Sequence, residues 1–353
     1  MTMALRSDVR CPGRPAESDA RVVIITGASS GIGRCAAGVF ARHGWRVGLI
    51  ARGQAGLRAA CADVEGHGAR AAMAQADVTE FHALEAAAAC IEQALGPIDA
   101  WVNCAGNGTY GRFLDTPPEE FRRVTDVTYL GTVNGTRVAL RRLLPRDHGR
   151  IVNVCSAVAF HGMPLLSSYS GAKHAVRGFD QSIRAELAQD GSRVSLTTLF
   201  PPAVNTPFFD HASSHMGRPG RPMPPIYQPE IVAAAIHLAA TRGGREMPIS
   251  FTTVLFSMGV RFVPGLVGRA IRRLGYQGQL TNEAAALARY EPTLFAASDR
   301  ASPVRGGFGA KARSGSAHVR MLCTLARLKR PNRRALRPTS SGAPARPIEH
   351  TPL

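Results

Sequence analysis

The 353-residue sequence predicts an α/β fold, a doubly wound parallel sheet with helices on both faces. Three observations predict it. From Arg21 onward, short β-branched runs alternate with Ala-rich helical stretches, joined by short turns. A glycine-rich turn lies between the first run and the first helix. Each segment with recognisable chemistry falls where a predicted strand ends, the edge at which such sheets bind ligands. The composition agrees: at 45% hydrophobic and 19% charged, the chain can bury a core, and is too apolar for disorder and too mixed for a membrane bundle.

The elements run in order along the chain. Residues 22–26, VVIIT, read as a strand buried on both faces, followed by a helix to about His43. Strand 45–50, helix 54–65 and a weaker strand 69–75 come next. Helix 81–95 stops at Gly96-Pro97, a breaker pair. Strand 98–103, one long helix 117–144, strand 150–156, helix 167–189 and strand 193–200 complete the alternation. Residues 207–229, rich in Pro, Gly, His and Met, predict a mobile loop. A helix over 229–241 and a last strand over 245–250 come after it. Residues 251–290 read as irregularly helical, and irregular chain is expected from about Glu291. The domain reading is therefore a flexible leader (1–20), a catalytic domain (21–250), a partly helical extension (251–310) and a basic, disordered tail (311–353).

The formal net charge of +18 invites a nucleic-acid reading, but 40 of the 43 basic residues are Arg, spread over the whole chain. Aromatics are few and no zinc-finger or RNA-binding motif occurs, so no nucleic-acid partner is expected. Seven scattered cysteines without a CxxC pair argue against a disulfide framework or structural zinc, and no metal is expected. The first twenty residues lack an apolar signal core, and the longest apolar stretch, 248–267, is broken by Arg261 and Pro264. A cytoplasmic location is the expectation.

Three groups of residues carry chemistry. Thr26-Gly27-Ala28-Ser29-Ser30-Gly31-Ile32-Gly33 follows a strand and opens a helix. Glycines there let backbone approach a pyrophosphate, and the helix N-terminus favours its charge. At the end of the second strand, where NAD enzymes of this fold place an acid for the ribose hydroxyls, the chain has Ala51 and then Arg52. A missing acid plus an Arg suits the 2′-phosphate of NADP, with Arg34 as a helper; the plainer reading of both is solvated surface arginine. Third comes Tyr169-Ser170-Gly171-Ala172-Lys173. Positions i and i+4 share a helix face, and an ammonium beside a phenol lowers its pKa. Chance would produce this spacing only about 0.05 times in a chain with so few Tyr and Lys. Ser156, thirteen residues earlier at a strand end, is placed to hold a substrate oxygen against the tyrosine hydroxyl.

TGASSGIG, the NCAG at 103–106, Ser156 and YSGAK together resemble the short-chain dehydrogenase/reductase family, in its TGxxxGxG branch, over about residues 21–250. The resemblance implies a Rossmann-like fold with a seven-stranded sheet, and hydride transfer between a nicotinamide cofactor and a ketone, aldehyde or secondary alcohol. It implies that Gly27, Gly31 and Gly33 line the pyrophosphate, with Thr26, Ser29, Ser30 and Ile32 in the same turn. Arg52 meets the 2′-phosphate of NADP, preferred over NAD. Asp77 and Val78 meet the adenine, and Asn103, Ala105 and Gly106 shape the adenosine side. Ser156 orients the substrate oxygen, Tyr169 is the general acid or base, Lys173 binds the nicotinamide ribose and lowers the pKa of Tyr169, and Thr206 reaches the carboxamide. A homodimer or homotetramer is the family's expectation.

Three departures stand out. Thr128 replaces the Asn that supports the family's proton relay, which predicts a weakened or rewired relay with Thr128 in it. Pro201-Pro202 stands where Pro-Gly is usual, which restricts the nicotinamide side. The glycine-rich ending of the acyl-carrier-protein reductases is missing, and the chain continues for about a hundred residues. In that continuation, Val254, Leu255, Met258, Phe262, Leu266 and Val267 at near-helical spacing, with Arg261, Arg269, Arg272 and Arg273, predict either a helix packed on the domain or a second subunit, or a basic amphipathic segment on an anionic membrane. The leading reading is an NADP-dependent oxidoreductase; the alternative from another class is a non-catalytic NADP-binding regulator or scaffold.

Overall fold

The computed structural model describes residues 20–328, without side-chain detail at 326–328. All but the last residue of the leader expected over 1–20, and the tail beyond 328, lie outside the described residues. Chain order begins β1 (Val22–Thr26), α1 (Gly31–Arg42), β2 (Arg46–Ala51), α2 (Gln54–Gly66), β3 (Ala71–Gln75), α3 (Phe81–Leu95), β4 (Ala100–Asn103) and a two-residue β5 (Thr109–Tyr110). Then come α4 (Pro118–Thr125), α5 (Gly131–Leu143), β6 (Arg150–Val154), α6 (Ser167–Gln189), β7 (Ser195–Phe200) and β8 (Ala203–Val204). Next are α7 (Phe208–His211), β9 (Ser213–Ser214), β10 (Ile226–Tyr227), α8 (Pro229–Arg242) and β11 (Glu246–Pro248). The extension adds α9 (Phe251–Phe262), α10 (Pro264–Leu274), α11 (Ala284–Arg289), β12 (Ala312–Arg313) and α12 (Ala317–Leu328).

The main sheet has seven parallel strands in the order β11-β7-β6-β4-β1-β2-β3. Crossing from β1 to its neighbours β2 and β4 reverses the winding, which opens a crevice at the strands' carboxyl ends. The register aligns those ends: Thr26 pairs with Ile50 on one side and Asn103 on the other, and Asn103 pairs with Asn153. Gly27, Ala51 and Cys104 therefore leave the sheet at one level. β1 and the last five residues of β2 are wholly buried, as the β-branched runs predict for a sheet covered on both faces.

Two apolar layers flank the sheet. Phe40, Trp45, Leu49, Val232 and Ile236 belong to the layer under α1 and α8; Leu84, Ile91, Trp101, Val138 and Leu196 belong to the layer under α3 and α5. The predicted single helix over 117–144 is two helices joined by one wide π-helical turn, Asp126–Leu130. Thr128 sits in that turn, fully buried, and its hydroxyl is used outside the helix.

The extension returns to the domain. β12 pairs with β10, which pairs with β8, so residues 312–313 are tied to the segment just after β7. Over 317–328, where composition predicts disorder, the chain is helical. Ser316 accepts from Val319 N and donates to Ile249 O, and Val319 is buried in the layer beneath α8. Among the described residues nothing covers the outer faces of α9 and α10, with Leu255, Met258, Phe262 and Leu266 exposed. No helix among the described residues is long and apolar enough to cross a membrane.

One buried titratable group predicts a pH effect. His237 on α8 stacks on His43 at 4.0 Å and meets Phe40 edge-on, and among the described residues its Nε2 has no hydrogen-bond partner. Burial first, then the neighbouring His43 and Arg21, push its pKa down to about 4. The folded-state value lies below the unfolded one. The stabilisation from a neutral ring is therefore present above about pH 6.5 and lost as pH falls through 4. Relative to wild type, His237→Phe should retain about 1–2 kcal/mol more stability at pH 4 than at pH 7, the partial exposure of the ring limiting the effect. Urea unfolding at the two pH values measures this; an unchanged difference between the proteins refutes it.

Candidate active site

The turn after β1 is shaped by close backbone approach. Gly27 has φ +66°, and a Cβ there would lie 2.7 Å from the Ala105 backbone. A Cβ on Gly33 would lie 2.3 Å from Gly27 O. Both positions therefore require glycine. Ser29, Ser30, Gly31, Ile32 and Gly33 line a cavity of about 590 Å³, together with Ala51, Arg52, Asp77, Val78, Ala105, Gly106, Ser156, Tyr169, Lys173 and Thr206. Most of the residues singled out from the sequence thus lie on the wall of one continuous cavity, whose size suits a small-molecule or cofactor site.

Three of them, Thr26, Asn103 and Thr128, do not line it. Asn103 is buried below the cavity, where its amide donates to Asn153 Oδ1 (2.8 Å) and its oxygen accepts from Trp101 Nε1 (2.7 Å). Its side chain fastens β4 to its neighbours instead of meeting a ligand. Thr26 is likewise buried: its hydroxyl accepts from the Cys104 and Ala105 amides, which fixes the segment that Gly27 packs against. Both act on the site through the backbone they hold.

At the other end of the cavity stand Ser156, Tyr169 and Lys173. α6 carries Tyr169 and Lys173 one turn apart, with Lys173 Nζ 5.6 Å from the Tyr169 ring centroid. Ser156 stands close enough to the Tyr169 hydroxyl to favour its ionised form, and all three side chains line the same end of the cavity. Lys173 donates to Val154 O at 2.8 Å. The expected lowering of the Tyr169 pKa by Lys173 is not what these side chains produce. Burial pushes the phenol above its ordinary value, Cys155 adds to that, and the nearby Ser156 opposes it only in part. Burial also pushes Lys173 down, against Cys155, Cys104 and Asp180. Asp180, about two turns further along α6, accepts from Asn153 (2.7 Å) and Thr198 (2.6 Å). Burial raises its pKa to about 6.

Thr128 keeps a role near the centre. Its hydroxyl accepts from Asn107 N (3.2 Å) and donates to Asn107 O (3.1 Å), so it fixes the loop after β4. A Cβ on Gly106 would come within 3.7 Å of Thr128 Oγ1 and 3.9 Å of Lys173 Nζ, so both polar groups border the same small space. Asn107 also lines the cavity, and its Nδ2 is buried with no hydrogen-bond partner among the described residues, a feature that no motif in the sequence marks. Pro202 lines the cavity and leaves the chain after it in order: Thr206 is buried, and its amide donates to Val204 O.

The adenosine end differs from expectation. Arg52 reaches the cavity wall, but its guanidinium donates to the carbonyls of Thr293 (2.7 Å), Leu294 (3.3 Å) and Phe295 (3.0 Å). Asp77 is held by Arg123 and Thr79, whose hydrogen bonds outweigh burial and lower its pKa. Thr293, Ala297, Ser298, Arg300 and Ser302 of the extension form the outer wall here. No motif marks them, because what they offer is mostly backbone.

A nicotinamide dinucleotide fits this donor set. The glycine cradle admits close backbone approach, α1 presents its N-terminus, and the unpaired Asn107 amide belongs to the cavity wall. The family model for short chain dehydrogenase matches residues 21–217. The oxidoreductase YxnA of Bacillus subtilis is 33% identical over 261 residues, 73% of each chain. The zebrafish (Danio rerio) 3-dehydrosphinganine reductase is 31% identical over 201 residues, 56% of this chain and 60% of its own length. A short chain dehydrogenase from Mycobacterium paratuberculosis bound to NAD superposes with a TM-score of 0.57 at 25% identity, covering 65% of this chain and 95% of that one. The chain belongs to the short chain dehydrogenase family and is an oxidoreductase with an NAD(P)-binding Rossmann fold.

Proposed function

We propose that the protein is an NADP-dependent oxidoreductase that moves hydride between nicotinamide and a ketone, aldehyde or secondary alcohol. The observation that carries this reading is the meeting of Ser156, Tyr169 and Lys173 in the same cavity as the glycine turn. The cofactor, when bound, supplies or accepts the hydride. Ser156 holds the substrate oxygen. Tyr169 gives that oxygen its proton in reduction and takes it in oxidation. The raised pKa of Tyr169 keeps the phenol protonated across the ordinary pH range, so the side chains by themselves favour the donor role. Lys173 brings a positive charge to the ribose side, and Thr128 holds the loop against which the cofactor rests.

The NADP preference rests on this chain's residues. Ala51 offers no carboxylate for ribose hydroxyls, and Arg34, Arg52, Arg123 and Arg300 surround that end. The substrate half is apolar, lined by Met163, Leu166, Phe208, Phe209, Phe256 and Ile271. This supports a carbonyl carried on an apolar body, in line with the ketone reductase named among the relatives. Phe256 and Ile271 come from α9 and α10, whose outer face joins exposed Leu255, Met258, Phe262 and Leu266 to Arg261, Arg269, Arg272 and Arg273. An anionic membrane surface is the partner that such a face fits.

A fluorescence titration with NADPH and, in parallel, NADH tests the reading. NADPH should bind at least about ten times more tightly, a difference of about 1.4 kcal/mol, and turnover of an apolar ketone should accompany it. Binding of neither dinucleotide would overturn the enzyme reading.

A further inference from the structure

The two arginines that the sequence offers for a 2′-phosphate are engaged elsewhere. Arg34 donates to Asp63 Oδ2 (2.7 Å) and to Ser302 O (2.9 Å). Arg52 donates to the carbonyls of residues 293–295. Both therefore pin the same stretch of the extension. That stretch is fastened further along its length. Gly31 N donates to Pro303 O (3.2 Å), Gly306 N donates to Asn205 O (3.2 Å), and Phe308 N donates to Asn205 Oδ1 (2.9 Å). From Thr293 at the end of β2 to Phe308 beside the segment after β7, it crosses the cleft from one bank to the other, as a strap.

Within the strap, Ser298 O lies 3.4 Å from where a Cβ on Gly53 would be, and Ser302 O is held by Arg34. Residue 300 is thereby suspended between the end of β2 and the first turn of α1. In this fold the adenosine ribose lies at that place, because the acid that usually meets its hydroxyls sits at the end of β2. Arg300 lines the cavity, is exposed, and among the described residues its guanidinium makes no hydrogen bond or ion pair. Among the described residues that line this end of the cavity, it is the cation not already engaged by a carbonyl or a carboxylate.

We propose that residues 293–308 are a strap that closes the cofactor cleft and that Arg300 on it binds the 2′-phosphate of NADP. This rests on the NADP reading above and adds the residue that reads the phosphate. Arg52 and Arg34 are positioning residues: they hold the strap by its backbone, and so hold Arg300 over the ribose. A guanidinium matches a phosphate with two parallel N–H···O bonds, which a 2′-hydroxyl cannot replace. The strap also covers the cleft, so a dinucleotide leaves only when the strap lifts.

The test is equilibrium titration of the full chain with NADPH and NADH, together with stopped-flow release of each. Arg300→Ala should weaken NADPH binding about ten- to a hundredfold and change NADH binding less than about twofold. Arg52→Ala, which loosens the strap, should speed release of both dinucleotides about tenfold or more. Amide exchange over 293–308 should slow when NADPH binds to wild type. Should wild type prefer NADPH while Arg300→Ala binds it unchanged, or should Arg300→Ala weaken both dinucleotides equally, the Arg300 assignment falls and the NADP reading stands. A wild-type preference for NADH overturns both. Release unaltered by Arg52→Ala, or exchange over 293–308 indifferent to NADPH, overturns the strap.

Discussion

Tyr169→Phe is expected to lower turnover about 10³–10⁴-fold while leaving NADPH affinity within about twofold. The change removes one oxygen from a buried ring and little else. The ring's packing against Phe208, at a centroid distance of 5.3 Å, survives in phenylalanine. Ser156 keeps the bond it accepts from Val158 N. Lys173 keeps its bond to Val154 O. The loss therefore reports proton transfer and not a collapsed site. Single-turnover hydride transfer, followed by loss of NADPH absorbance in the presence of an accepted ketone, separates the two. A variant that turns over like wild type would remove Tyr169 from the chemistry and hand the proton to another group at the cavity.

The second large effect is at Gly33. A methyl group there would stand 2.3 Å from Gly27 O and 2.9 Å from Gly27 C, well inside backbone contact distance. Neither atom is the end of a flexible side chain, so the first turn of α1 must shift off the glycine turn. Gly33→Ala should cost about 1–3 kcal/mol of stability as overpacking. It should also weaken NADPH binding about a hundredfold, because the amides that face the phosphates move with the turn. Thermal melting with and without NADPH reads both: a lower Tm, and loss of the upward shift that ligand produces in wild type. An NADPH affinity equal to wild type would show that the α1 N-terminus does not contact the dinucleotide.

How much of this is legible in the sequence depends on where each signal resides. The strands announce themselves because a sheet covered on both faces needs unbroken apolar runs, as VVIIT shows. The glycine turn and the Tyr–Lys pair are readable because their spacing is their function. The π-helical turn at 126–130 is not, since no helical period marks one extra residue in a turn. Thr26 and Asn103 read as ligand contacts and serve the backbone instead. A polar side chain at a strand end reads the same whether it faces the cleft or the core. The tail misleads through composition. Its arginines suggest disorder over 317–328, but Val319 buried in the core, Cys323 packed against it, His318 edge-on to Phe251 and the cap Ser316 lay that helix against the domain. Arg52 reads as a cofactor contact, and it reaches that end of the cavity, but its guanidinium holds the extension's backbone.

The strap's grip on the domain is made largely of carbonyl oxygens: those of 293–295, Ser302 and Pro303. A carbonyl is the same in every residue. Side chains along most of the strap are therefore free to drift over evolutionary time without loosening it, while its length and its path are not. Related chains are better recognised by the number of residues between α11 and the return to the domain, and by the arginines that face that span, than by any string of letters within it.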